Sequence, residues 1–176
     1  EVSEFRQTSG TTGQPVYQPD TWQDWEWWAE SWSYILWAQG YRPSDRVFLP
    51  FGYNVFVAFW AGHYAAEKIG AEVVPGGVLD TQARILKIQE LRCTAMMATP
   101  TYVLGMADTA RKMGIDPSSL TIRRITCAGE PGASIPSTKK RMEDAWDAKV
   151  YDHAGATEIG AWCFECEAQS GGLHVN

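Results

Sequence analysis

The alternation of strand and helix patterns between residues 46 and 151 is the feature that most constrains the fold of this chain. Short apolar runs typical of buried strands occupy residues 46–51, 72–75, 94–98, 122–127 and 149–151. Segments with helical periodicity lie between them, at residues 54–69, 81–91, 100–113 and 134–146. Strands that alternate with helices pair in parallel. The sequence therefore predicts an α/β fold, a parallel β-sheet flanked by helices, with ligands at the carboxyl ends of the strands.

A tryptophan-rich helix is predicted upstream of this region, at residues 21–38. Thr21 has the character of an N-cap, Asp24 completes a capping box three residues later, and Gly40 is a suitable stop. Six of the nine tryptophans lie in this segment, several at helical spacing. We interpret them as a buried core stripe, with a ligand-facing or partner-facing role as the alternative.

Charge and apolar content exclude several classes of partner. The net charge of −6, without any basic run, is unsuited to binding nucleic acid. The sequence has no uncharged apolar stretch of roughly 18 residues, so we predict no membrane span. Four cysteines without signs of secretion are interpreted as reduced thiols in a cytoplasmic protein. A homodimeric assembly is left open.

The segment that starts at Thr8 and ends at Pro15 is the strongest indication of chemistry. Its glycines allow a tight backbone turn that directs N–H groups at an anion, and its hydroxyls add further donors. It lacks the Gly-Lys-Ser/Thr of a Walker A motif. A plain polar linker is the alternative interpretation. The candidate phosphate-binding residues are Thr8, Ser9, Gly10, Thr11, Thr12 and Gly13.

Two further segments follow predicted strands. Residues 151–158 end in Glu158, whose carboxylate suits Mg²⁺, a cation that takes few protein ligands and binds substrate phosphates. Residues 128–132 are small enough for a flat ring to approach the backbone. A turn with an exposed acid is the alternative for the first segment. Both are predicted to lie at the same edge of the sheet.

Together these segments resemble the adenylate-forming superfamily, which includes acyl-CoA synthetases, luciferases and peptide-synthetase adenylation domains. Residues 8–15 resemble its phosphate loop, and residues 154–158 its aromatic-Gly-x-Thr-Glu segment. Residues 62–71, 99–102, 128–131 and 172–174 resemble the branch of phenylacetate-CoA ligases and coenzyme F390 synthetases. The match covers essentially the whole chain. We therefore expect residues 1–176 to be part of the N-terminal AMP-binding domain, and the C-terminal lid domain to lie outside this sequence.

The resemblance implies that ATP and Mg²⁺ activate a small carboxylic acid, with an aryl acid favoured, to an acyl-AMP that coenzyme A then takes up as a thioester. Thr157 and Glu158 would be catalytic, with Glu158 as the Mg²⁺ ligand. The adenine would be framed by Ala128, Gly129, Glu130, Pro131, Asp152 and His153. The acyl pocket would be lined by Tyr53, Trp60, His63 and Tyr102, for which ordinary core positions are the alternative.

Two departures from the family pattern leave other functions open. Gln14 stands where many relatives have lysine, and Ala154 stands where an aromatic residue usually stacks on adenine. Coenzyme F390 synthetase-like adenylation and a non-catalytic nucleotide-binding module are therefore kept as alternatives. Cys163, Cys166 and His174 suggest a zinc site, which we do not favour because structural zinc normally needs four ligands.

Overall fold

The computed structural model describes residues 1–10 and 13–175 and contains two sheets. The strands are β1 (Val2–Gln7), β2 (Tyr17–Thr21), β3 (Arg46–Leu49), β4 (Glu72–Pro75), β5 (Ala95–Ala98), β6 (Arg124–Cys127), β7 (Lys149–Ala156), β8 (Gly160–Cys166) and β9 (Gln169–Val175). The helices are α1 (Trp22–Ala38), α2 (Val57–Lys68), α3 (Thr81–Leu91), α4 (Pro100–Lys112) and α5 (Pro136–Trp146), with a short 3-10 helix at Pro117–Ser119.

The larger sheet has seven strands in the order β4-β3-β5-β6-β7-β8-β9. The strands from β4 to β7 pair in parallel, while β7–β8 and β8–β9 pair antiparallel. A separate antiparallel ribbon of β1 and β2 carries the loop after Gln7. The prediction of an α/β fold with a largely parallel sheet flanked by helices is confirmed.

Helices cover both faces of this sheet and bury two apolar clusters. On one face α3, α4 and α5 pack with side chains such as Ile85, Met106 and Trp146, and the Trp146 indole donates to the Val103 carbonyl at 3.1 Å. On the other face α1 and α2 contribute most of the second cluster. Burial of both faces explains why the parallel strands have continuous apolar runs instead of alternating ones.

Helix α1 begins as predicted, because the capping box at its start is formed. The Thr21 hydroxyl accepts from the Asp24 backbone N–H, and the Asp24 carboxylate accepts from the Thr21 backbone N–H at 2.7 Å. The helix ends before Gly40, whose φ of 82° favours glycine. None of the helices in the described part of the chain has the length and apolar character needed to cross a bilayer.

Several element bounds differ from the predictions, and one pair of strands was not predicted. Helix α2 begins at Val57 because the Asn54 side chain accepts from the Phe56 N–H at 2.9 Å and holds a turn there. Strand β7 continues to Ala156 because β8 supplies a partner for its second half. The β8–β9 hairpin has no counterpart in the predicted elements. Within residues 151–158, residues 151–156 are therefore strand, and only Thr157 and Glu158 lie in the turn beyond it.

Candidate functional site

A cleft of about 470 Å³ lies where the three sequence segments meet, at the carboxyl ends of β6 and β7. The phosphate-loop segment contributes Thr8 and Ser9, and the β6 turn contributes Ala128 and Gly129. The end of β7 contributes His153, Gly155, Ala156, Thr157 and Glu158. The remaining described lining comes from α1, α2 and the residue before α2, as Trp28, Trp32, Phe56, Val57 and Phe59. The cleft is therefore a site with one polar edge and one aromatic wall.

The loop between β1 and β2 is closed at its base by Thr8. Its N–H donates to the Val16 carbonyl at 3.0 Å, and its hydroxyl accepts from the Val16 N–H at 3.0 Å. Gly10 has a φ of +64°, and a Cβ there would lie 2.8 Å from the Pro15 ring. A second turn bond joins the Gly13 N–H to the Gly10 carbonyl at 3.2 Å. The predicted residues Thr11 and Thr12 lie outside the described part of the chain.

Arg6 attaches this ribbon to the body of the fold. Its side chain is buried, forms an ion pair with Glu4, and places its guanidinium 4.7 Å from the Trp25 ring and 5.0 Å from the Trp60 ring. Such cation–π contacts stabilise more strongly when the cation is desolvated. The phosphate loop therefore starts two residues after Arg6, which is held in place by α1 and α2. Trp60, predicted in the acyl pocket, packs on Arg6 and is not in the described lining of the cleft.

The end of β7 directs neighbouring side chains to opposite faces of the sheet. Asp152 lies toward α5, where burial raises the pKa of its carboxyl and a hydrogen bond from Ser134 offsets part of that rise. His153 lies toward α1, with its ring centroid 4.1 Å from that of Trp32. Desolvation lowers the pKa of His153 to about 4, so the ring is neutral at neutral pH. Of these two predicted adenine contacts, only His153 lines the cleft.

Glu165 is a buried anchor that the sequence patterns did not indicate. Its side chain is 3% exposed, and its two oxygens lie 2.9 and 2.8 Å from Lys139 Nζ. The backbone N–H groups of Asp152 and Gly171 also donate to it, at 2.7 and 2.8 Å. This carboxylate joins α5, β7, β8 and β9 directly behind the cleft. Its partners lie 6, 13 and 26 residues away in sequence, so no helix or strand spacing reveals it.

Glu130 and Pro131, predicted beside the adenine, are not in the described lining of the cleft. The Glu130 carboxylate instead accepts from the Thr101 N–H at 2.7 Å, at the start of α4. This bond satisfies one of the free N–H groups of that helix and fixes the turn after β6. Gly129 has a φ of +93° in this turn, a conformation that suits glycine. Ala128 and Gly129 do face the cleft.

Glu158 brings a carboxylate to the edge of the cleft. Its side chain is exposed in the turn between β7 and β8, and Thr157 beside it is half-buried. Both line the cleft together with Thr8 and Ser9. A carboxylate next to hydroxyl oxygens, open toward the space for a phosphate, fits Mg²⁺, which binds through one or two carboxylates and substrate phosphates.

Of the four residues predicted for the acyl pocket, Tyr53 contacts both Trp60 and His63, and Tyr102 is not among these contacts. Tyr102 lines a second cavity of about 320 Å³, where its hydroxyl accepts from Arg84 at 2.6 Å. Tyr53 and His63 pair with each other, with the hydroxyl 2.6 Å from Nδ1. Neither lines either of these two cavities. Phe59 lies in both cavities and separates them.

The candidate zinc ligands are divided between two sides of β8. Cys163 is buried, whereas Cys166 is partly exposed with its Sγ 3.0 Å from His174 Nε2. A register shift between Phe164 and Cys166 interrupts the pairing with β9. Across residues 1–10 and 13–175, no three His, Cys, Asp or Glu side chains lie together as a metal site.

Comparison with known proteins identifies the family to which this chain belongs. The family model described as AMP-binding enzyme matches residues 7–174. The phenylacetate-coenzyme A ligase of Aromatoleum evansii is 34% identical over 158 residues, which is 90% of this chain and 36% of that protein. The phenylacetate-coenzyme A ligase of Thermus thermophilus is 30% identical over 179 residues, 99% of this chain and 39% of that protein. The chain thus spans little more than a third of these relatives.

Solved structures agree with this assignment. A 2-hydroxyisobutyryl-CoA ligase in complex with 2-HIB-AMP and CoA superposes with a TM-score of 0.92 at 29% identity, covering 98% of this chain and 37% of that one. A benzoate CoA ligase from Burkholderia xenovorans gives a TM-score of 0.73 at 19% identity, covering 94% of this chain and 32% of that one. The similarity to the benzoate CoA ligase shows a shared fold only.

Proposed function

Because the chain belongs to the AMP-binding enzyme family, we propose that its protein uses ATP to activate a carboxylic acid as an acyl-adenylate and then transfers the acyl group to coenzyme A. One observation carries this proposal: a single cleft brings together the loop at Thr8 and Ser9, the β6 turn, and the Thr157-Glu158 pair. The names of the relatives favour phenylacetate-CoA ligase-like chemistry with an arylacetic acid.

The first half-reaction needs the acid and ATP placed in line. A carboxylate oxygen of the acid attacks the α-phosphorus, the bond to the pyrophosphate oxygen breaks, and pyrophosphate leaves. Catalysis of phosphoryl transfer requires mainly that the protein position the reactants and stabilise the developing charge. Backbone N–H groups and hydroxyls of the loop that Thr8 closes would bind the β- and γ-phosphates. Thr157 would donate its hydroxyl to an α-phosphate oxygen.

The second half-reaction uses the same cleft. The sulfur of coenzyme A attacks the acyl carbonyl carbon, the bond to the phosphate oxygen breaks, and AMP leaves while the thiol proton goes to solvent or a base. Ala128, Gly129 and Ala156 have small side chains or none, so they leave room for a flat adenine or acyl group against the backbone. Glu158 would hold Mg²⁺, which when bound supplies positive charge beside the phosphates.

The aromatic wall supports an apolar acyl group. Trp28, Trp32 and Phe59 line the cleft opposite the polar loop. Pockets that bind small molecules are usually apolar with a few placed polar groups.

We keep a cytoplasmic location as part of this proposal.

The test is acid-dependent exchange of labelled pyrophosphate into ATP by the whole protein. We expect exchange with phenylacetate and related aryl acids, and none when the acid is left out. Exchange supported only by fatty acids or amino acids would reject the aryl assignment. If none of the acids supports exchange but ATP binds tightly, the protein is a non-catalytic nucleotide-binding module. A phenolic deazaflavin belongs among the substrates, as the test of coenzyme F390 synthetase-like adenylation.

The Glu158→Gln variant tests the proposed metal ligand. The amide keeps the size of the side chain but removes the charge that holds Mg²⁺. We expect the adenylation rate to fall roughly a thousandfold, since metal-ion charge stabilisation contributes several kcal/mol. The side chain is exposed, so thermal unfolding should change little. A variant that adenylates at nearly the wild-type rate over a range of Mg²⁺ concentrations would remove Glu158 from the site.

A further inference from the structure

The second cavity, of about 320 Å³, contains a cation without a counter-ion. Arg84 of α3 lines it together with Tyr102 of α4 and a largely apolar surface. The nearest acid in sequence, Asp80, caps α3 by accepting from the Ala83 N–H at 2.8 Å. No carboxylate in the described part of the chain forms an ion pair with the Arg84 guanidinium. A positive charge that lines a cavity in this way favours an anion there.

Neutral oxygens hold the guanidinium in one orientation. Its Nε and Nη2 donate to the carbonyls of Gly76 and Gly77 at 3.2 and 2.6 Å, and Nη1 donates to the Tyr102 hydroxyl at 2.6 Å. Arginine has five N–H donors, so one remains on each terminal nitrogen. The Tyr102 hydroxyl keeps its own proton for Thr81, 3.1 Å away, or for a ligand. A carboxylate offers two acceptor oxygens to such a set and also supplies the missing counter-charge.

A thin wall of side chains separates this cavity from the cleft described above. Phe59 lines both spaces, and its ring stacks on Phe51 with the centroids 3.4 Å apart. Thr99 lines the second cavity, and its methyl group lies 3.4 Å from the place of a Cβ added to Gly129, which lines the cleft. An acyl group that extends from the cleft past Phe59 therefore enters the second cavity, beside aromatic rings that suit an aryl group.

We propose that the acid activated by this protein carries a second carboxylate at the far end of its aryl group, and that Arg84 and Tyr102 bind this carboxylate in the second cavity. This inference rests on the proposed function and narrows its substrate class to aromatic diacids. A neutral group in the same place would leave the guanidinium without a counter-charge.

The experiment compares each diacid with its monoamide, in which a neutral carboxamide of nearly the same shape replaces the distal carboxylate. Suitable pairs are 4-carboxyphenylacetate with 4-carbamoylphenylacetate, and 1,4-phenylenediacetate with its monoamide. The assay is pyrophosphate exchange by the whole protein, without coenzyme A. For at least one pair we expect kcat/KM to favour the diacid roughly ten- to hundredfold, because hydrogen bonds between charged groups are stronger than those to a neutral amide.

The Arg84→Gln variant should bring this ratio close to one. Lys87→Gln is the matched control: it removes a cation one turn further along α3, but Lys87 pairs with Glu90 at 2.6 Å and is not in the described lining of the cavity, so the ratio should stay at the wild-type value. The ratio is measured within one variant, so a general loss of activity cancels. If Arg84→Gln does not fold, Tyr102→Phe, which removes one donor from the site, should lower the ratio severalfold.

Three results would overturn the inference while the proposed function stands. The first is equal use of the diacid and the monoamide in every pair, and the second is a preference that the variant of the site leaves unchanged. The third is a raised KM for coenzyme A in Arg84→Gln, measured by thioester formation, with no change in the exchange ratio; the anion would then be a phosphate of the coenzyme. Failure of every acid, phenylacetate included, to support exchange would instead overturn the proposed function, and this inference with it.

Discussion

The Lys139→Met variant tests how the carboxyl end of β7 is held in place. Lys139 is the cation closest to the buried Glu165 carboxylate, and their side chains are 12% and 3% exposed. Methionine keeps most of the side-chain volume but leaves the carboxylate with backbone N–H donors and no counter-charge. Removal of one member of a buried ion pair costs about 3–5 kcal/mol. For a domain of this size that lowers the midpoint of thermal unfolding by roughly 6–20 °C.

The neighbouring lysine is a matched control. Lys140 lies on the same helix and pairs with Asp144 at 3.0 Å, but its side chain is 75% exposed. Lys140→Met should therefore change the free energy of unfolding by no more than about 0.5 kcal/mol. The double variant Lys139→Met/Glu165→Gln removes both charges and should recover about 1–3 kcal/mol relative to Lys139→Met alone.

Denaturant unfolding followed by tryptophan fluorescence measures all of these differences, with circular dichroism as the check on the native fold. If Lys139→Met is as stable as Lys140→Met, the backbone N–H groups of Asp152 and Gly171 are sufficient for the carboxylate. The argument from an uncompensated buried charge would then be refuted.

Three other predictions concern the cap of α1, the buried imidazole and the thiols. Thr21→Ala removes the side-chain half of the capping box and should lower the free energy of unfolding by about 1 kcal/mol in a thermal melt; no loss would mean that tertiary packing alone fixes the start of the helix. The pKa of His153 is near 4 when folded and 6.5 as a reference, so below pH 6.5 the unfolded chain binds a proton that the native chain does not. Stability should fall by about 3 kcal/mol between pH 6.5 and 4, and His153→Phe should lessen that fall; parallel pH profiles for the two proteins would contradict this. Among the cysteines of this chain, iodoacetamide should modify Cys166 first in the native state, as peptide mapping would show, because it alone is partly exposed. Burial raises the pKa of the other three thiols, Cys93, Cys127 and Cys163, and that of Cys93 reaches about 11. Early modification of any of these three would be inconsistent with the structure.

Local patterns were sufficient to predict most of the sheet and its helices. The strand at residues 72–75 and the helix at residues 81–91 have the predicted bounds. The start of α1 was also predicted, because a capping box is formed by residues three positions apart. The β8–β9 hairpin was not predicted, since its cysteines, acidic residues and glycines form no regular alternation and it depends on pairing with β7. A strand that depends on pairing with a neighbouring strand has little strand-forming pattern in its own sequence.

The candidate site was predicted in part, for a similar reason. Motifs at strand ends converge because a parallel sheet brings those ends together, and this places Gly129 and Glu158 on one cleft, which Thr8 joins from the separate antiparallel ribbon. The acyl wall depends on how helices pack. Trp28 and Trp32 were assigned to the core from their spacing, yet they also line the cleft. Spacing shows that a residue faces inward but does not show whether a cavity lies beside it.

The opposite directions of Asp152 and His153 on β7 have a consequence for insertions and deletions. One residue inserted before this pair would exchange their sides, which would put the imidazole beside Lys139 and a carboxylate against Trp32. Substitutions here act one at a time, whereas a change in length reverses every side chain that follows in the strand. A designer who transfers this cleft to another scaffold therefore has to move residues 149–156 as an intact unit, together with the helix surface on each side.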